Sequence, residues 1–165
     1  NQHYPTQDAE KTSWYIFLHD KYVPWKFEHR WVPTRQQNLE TGTREEIEQI
    51  GRDLFEYDKQ DIGIHLSRAD RIPGFAVIAA SGLIALMFPE YFGTVDQYVL
   101  NSLKNIDNLP KIEDVNMMNP ENLTNEDGIK LIEIMRGKAR RLNEMFITNF
   151  WTPRKIDMIL WTKGH

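Results

Sequence analysis

The run Phe75–Phe88, FAVIAASGLIALMF, most constrains what this chain can become. At fourteen residues it is long for a strand. It is also too short to cross a bilayer as a helix. Its Ala, Leu, Met and Phe favour a helix, and it is apolar nearly all round, so it must be buried on most sides. A helix of that kind needs other helices around it. The chain of 165 residues is long enough to supply them and to bury a genuine core. The expected fold class is therefore all-α, with a single helical domain over residues 1–165 and a polar lead-in at 1–12.

Start and stop signals place the surrounding helices. Thr43 with Glu46 gives the pattern in which each side chain satisfies the other's backbone N–H. Ile47, Ile50, Leu54 and Tyr57 follow at helical spacing. Residues 95–105 read as a helix with Val95, Val99, Leu100 and Leu103 inward. Thr124 with Asp127 opens the longest helix, with Ile129, Ile132, Met135, Ala139, Leu142 and Phe146 on its buried side. Thr152 caps a last helix that begins with Pro153, where a missing N–H costs nothing, and Ile156, Ile159 and Leu160 face inward. Trp14–Leu18 fits a helix or a strand. Residues 22–33 read as an irregular, aromatic-packed connection, 58–72 as a mixed polar segment, and 106–122 as a loop.

The chain has no cysteine, which excludes disulfides, thiol nucleophiles and cysteine-held metal centres. This fits a reducing, cytoplasmic setting, and no secretory leader is visible at residues 1–10. His19, His29 and His65 lack the spacing of a metal site, and Asp58, Asp61 and Asp70 do not form a calcium loop, so neither a metal nor a cofactor is expected. Ser67 and Ser81 lack a nucleophile-elbow context. No membrane partner is expected. The formal charge of −4 argues against nucleic-acid binding by bulk electrostatics. A local cluster, Arg136, Lys138, Arg140 and Arg141, could still follow a phosphate backbone.

The segment IPGFAVIAASGLIALMFPEYFGTVDQYVLNSL, Ile72–Leu103, combines a Pro-Gly turn, a buried helix and a Val-Asp pair at the mouth of the next helix. It resembles the helix-hairpin-helix core of the endonuclease III-like superfamily of DNA glycosylases. Pro73 and Asp96 stand 23 positions apart, as in that family. The closing TPRKIDMILWTKGH resembles the end of a group of small bacterial proteins that share this core.

The resemblance implies double-stranded DNA as partner. Gly74 and Ala76 would shape a turn whose amides hold a phosphate. Asp96 would be the carboxylate that assists base release. Tyr98 and Trp151, with Trp31 and His65 as further aromatic candidates, would hold an extruded base. Ile78 stands where bifunctional members carry a lysine, which implies a monofunctional enzyme without lyase activity. Ala76 replaces the second hairpin glycine. Two other functions fit the same residues: a non-catalytic DNA-binding module in which Asp96 only caps a helix, and a helical interaction or oligomerisation domain with no nucleic-acid role.

Overall fold

The apolar run folds as a helix and lies among other helices. The computed structural model describes residues 13–165, so the lead-in expected at 1–12 falls outside it. Among the described residues every regular element is helical. Helix α1 (Trp14–Phe17) passes through a π turn at Leu18–Tyr22 into α2 (Val23–Lys26). A 3₁₀ turn at His29–Trp31 leads to α3 (Val32–Glu40). Then come α4 (Arg44–Glu56), α5 (Ile62–Ala69), α6 (Val77–Met87) and α7 (Gln97–Lys104). The chain closes with α8 (Ile112–Met117), α9 (Asn125–Phe146) and α10 (Pro153–Gly164). No described helix is long and apolar enough to cross a membrane.

The caps fall where the sequence puts them. Thr43 and Glu46 exchange hydrogen bonds at the start of α4, and Thr124 and Asp127 do so at α9. Thr152 accepts from the Lys155 amide at α10. Each such cap is worth about 1 kcal/mol. The core gathers around α6, whose Leu83, Ile84 and Ala85 are fully buried. Helix α5 packs on α6 and α9, while α10 packs on α7 and α9.

Three segments depart from expectation. The stretch 22–33 is largely helical rather than irregular, because Pro24 and Pro33 sit at the first positions of α2 and α3, where a proline removes no hydrogen bond. The polar segment 58–72 holds α5, capped by Asp61, which accepts from the Ile64 amide at 2.9 Å. The loop 106–122 contains α8, entered through Asn108 and Lys111 in left-handed conformations.

Two side chains expected inward are exposed. Phe146 lies in the last turn of α9, seven residues beyond Ala139, the last buried residue of that helix. Ile159 lies at the edge of the buried row of α10 formed by Ile156, Asp157 and Leu160.

Candidate functional site

Asp96 is the N-cap of α7. One oxygen of its carboxylate accepts the amides of Tyr98 at 3.0 Å and Val99 at 2.9 Å. The backbone leading to it is held on both sides. Buried Ser81 of α6 accepts the Val95 amide at 3.0 Å, and buried Asp157 of α10 accepts the Thr94 amide. Asp96 is thus fixed by two helices distant in sequence as well as by its own.

It lines a cavity of about 510 Å³ between α2, α7 and α10. Trp25 and Lys26 come from α2, Thr94 and Asp96 from the turn before α7, and Arg154, Asp157 and Trp161 from α10. The two indoles are half-exposed at the cavity, the kind of surface on which a flat ring stacks. Arg154 donates to Asp157 at 2.6 Å and to the Thr94 hydroxyl at 3.0 Å.

Burial dominates the electrostatics here. Asp157 is only 1% exposed, and its carboxyl is pushed up from 3.8 to about 6 by burial, against the opposing pull of the Thr94 amide and Arg154. The Lys26 amine is held below the ordinary lysine range by burial, with Asp96 pulling the other way. Among the described residues Lys26 forms no ion pair. A Cβ added at Gly82 would lie 2.7 Å from the Tyr22 hydroxyl and 3.0 Å from the Lys26 Nζ, so this glycine of α6 is what lets α2 lie so close. Tyr22 also donates its hydroxyl to the Ala79 carbonyl, tying the π turn before α2 to α6.

The turn before α6 is one aromatic step from the cavity. Phe75 packs on Tyr22 at 5.6 Å, and Tyr22 on Trp25 at 5.8 Å. Gly74 has φ +81°, a conformation that favours glycine. Its open side is used against α3, since an added Cβ would sit 2.6 Å from that of Asn38, and Arg35 donates to the Gly74 carbonyl at 2.9 Å. A phosphate could not approach the Gly74 Cα from that side. Ala76 is extended at φ −136°, a conformation that alanine adopts without strain. No side chain caps α6, which leaves the amides of its first turn without an acceptor among the described side chains.

Several expected site residues are not brought together. Arg136 is no free phosphate ligand: its guanidinium donates to the carbonyls of Tyr91, Gln60 and Lys59 and lies over Phe92. It is a structural clamp. Arg140 lines a separate concavity with Trp151, while Lys138 and Arg141 line another beside residues 106–111, so the basic cluster divides between two faces of α9. Trp151, expected beside Asp96, stands in the first of these; its backbone is bracketed by the Asn143 side chain, which draws it away. Tyr98 does not line the cavity but backs it, packing on Trp161 at 5.8 Å. His65 is buried between the carbonyls of Asp61 and Leu54, and Trp31 is exposed on the 3₁₀ turn.

No local sequence signal places Lys26, Arg154 and Asp157 at this site. Nothing in the spacing of Lys26, 70 positions before Asp96, signals the contact. No family model, curated protein or solved structure matches this chain.

Proposed function

We propose that this chain binds double-stranded DNA and receives an unstacked nucleotide in the cavity between Trp25 and Trp161, where Asp96 assists release of the base. One observation carries the reading. The carboxylate expected to do the chemistry lines a concavity that also offers aromatic faces, a desolvated amine and a guanidinium. That combination suits a flat ring joined to a sugar phosphate.

In this reading the base leaves C1′ with the bonding electron pair. Positive charge grows on the sugar, and the free oxygen of Asp96 opposes it. Water adds to C1′ and gives its proton to Asp96. Lys26 donates a proton to the departing base, a task suited to an amine held below its usual range. Ile78 offers no amine at the position where a lyase of the resembled family carries one. The uncapped first turn of α6 provides amides for a backbone phosphate, which suits a chain whose net charge is −4.

The second reading, a helical interaction domain without nucleic acid, draws on one observation as well: the two amides that Asp96 accepts are by themselves a sufficient role for its side chain. A duplex titration at several salt concentrations separates the two. Affinity that falls linearly in a log–log plot as salt rises supports DNA binding. Absent or salt-independent binding selects the interaction domain.

A further inference from the structure

The last turn of α9, with the loop that joins it to α10, combines three properties. It is apolar and exposed: Met145, Phe146, Ile147 and Phe150 are 67%, 62%, 95% and 56% accessible. It is also pinned. The Thr148 amide donates to the Asn143 carbonyl at 2.9 Å, and the Phe150 amide to the Thr148 hydroxyl at 3.2 Å. Asn143 holds the Trp151 amide and carbonyl at 2.8 and 2.9 Å, and Lys155 donates to the Phe150 carbonyl at 2.7 Å. Finally, Ile147 sits at φ +48°, an outlying conformation for a β-branched residue. A backbone this well fixed holds four large apolar side chains in water, one of them on a strained residue.

The charge around this knuckle is opposite to that of the whole molecule. From Lys138 to His165 the chain carries six Lys or Arg against two acids, Glu144 and Asp157, whereas its total is −4. Asp157 is buried in the cavity, so Glu144 is the one exposed acid of the segment. Among the described residues Arg140, Arg141, Lys155 and Lys163 form no ion pair. The ammonium of Lys155 lies 3.4 Å from the centre of the Phe150 ring. Along α10, Lys155, Ile159 and Lys163 form one row at four-residue spacing, and Ile159 is exposed. The knuckle therefore continues into a helix row that mixes apolar and cationic side chains.

We propose that this face is a membrane-surface site: the tip formed by Met145, Phe146, Ile147 and Phe150 enters the headgroup boundary of an anionic bilayer, while Arg140, Lys155 and Lys163 meet its phosphates. The cations call for a polyanionic partner. The apolar tip chooses between polyanions. A base step in a duplex admits one or two side chains, and its outer surface is charged, so the remaining apolar groups would lie against phosphate. A bilayer boundary takes all four, and a rigid tip enters it without an ordering cost. This site is separate from the Asp96 cavity and does not rest on the DNA reading.

The test is sedimentation of the full chain with phosphatidylcholine vesicles, with and without phosphatidylserine. The wild type is expected to pellet with the anionic vesicles and not with the neutral ones. Ile147→Asp is expected to lower partitioning about tenfold or more, and Arg140→Gln about fivefold. Ile147→Gly removes the side chain but suits the left-handed backbone, so it keeps the fold while losing binding. Circular dichroism and melting establish that each variant is folded. Equal pelleting with neutral and anionic vesicles, no pelleting, or pelleting unchanged in Ile147→Gly would each overturn the proposal. It also falls if the same substitutions instead weaken duplex binding, or convert a dimer to a monomer in sedimentation velocity, without any effect on vesicles.

Discussion

Replacing Asp157 by Asn should remove a specific piece of pH dependence from the folding of this chain. The carboxyl ionises near 6 in the folded state and at the ordinary 3.8 when unfolded. The folded state therefore holds this proton more tightly. Its contribution is fully present below about pH 3.8 and is lost as pH rises through about 6. At about 1.4 kcal/mol per pH unit, the full difference amounts to about 3 kcal/mol, of which about 2.5 kcal/mol falls between about pH 4 and neutral solution. The raw stability curve of the wild type does not isolate it, because His65, held below its ordinary range by burial, acts in the opposite direction as it is forced to take up a proton in acid.

The difference between wild type and Asp157→Asn does isolate it. Asn still accepts the Thr94 amide but cannot accept from Arg154, which offsets part of any gain at neutral pH. Urea unfolding followed by circular dichroism between about pH 4 and about pH 7.5 gives both free energies. The wild type should gain about 2.5 kcal/mol relative to the variant on going from the high to the low end. A difference that is flat with pH, or that changes in the opposite sense, would refute the claim that burial outweighs the Arg154 pairing.

Further outcomes follow from single contacts. Gly82→Ala, whose new methyl meets the Tyr22 hydroxyl and the Lys26 amine, should lose about 1–3 kcal/mol in urea unfolding and weaken whatever the cavity binds; full stability would mean that α2 is free to move away. Arg136→Met strands the carbonyls of Tyr91, Lys59 and Gln60 and should cost about 3 kcal/mol, with duplex affinity at fixed salt unaltered. A change in the salt slope would instead make Arg136 a phosphate ligand. Ile147→Gly should raise stability by about 1 kcal/mol by relieving the left-handed backbone, and a loss on thermal melting would count against strain there.

The sequence carries much of this fold because its helix signals are local. Thr43 with Glu46, Thr124 with Asp127, and Thr152 with Pro153 act within four residues, and each is legible by spacing alone. The helices over 22–40 were obscured because Pro24 and Pro33 look like breakers until their position at a helix start is known. Helix α5 is eight residues long and follows a polar stretch, so its period is short and weak.

Of the site, Asp96 was legible, since its place at a helix mouth is a local property. Lys26, Arg154 and Asp157 reach it from α2 and α10 through tertiary packing, for which no short spacing exists. The division of the α9 cations had a readable basis. Lys138 and Arg140 lie about 200° apart around a helix, which puts them on opposite sides. What decides Arg136 is different: three carbonyls from residues 59, 60 and 91 converge on it, and only the fold brings them there.

Single-turnover base release tests directly whether Asp96 acts on a nucleotide rather than only capping α7. Duplexes carrying one damaged or mismatched base are incubated with excess wild type or Asp96→Asn, and the freed base is measured. Asn caps a helix about as well as Asp, so the variant keeps its fold. The expected result is release by the wild type and a rate at least about 100-fold lower for Asp96→Asn. Equal rates for the two proteins, or no release by the wild type from any duplex, would contradict the account and leave Asp96 as a cap alone.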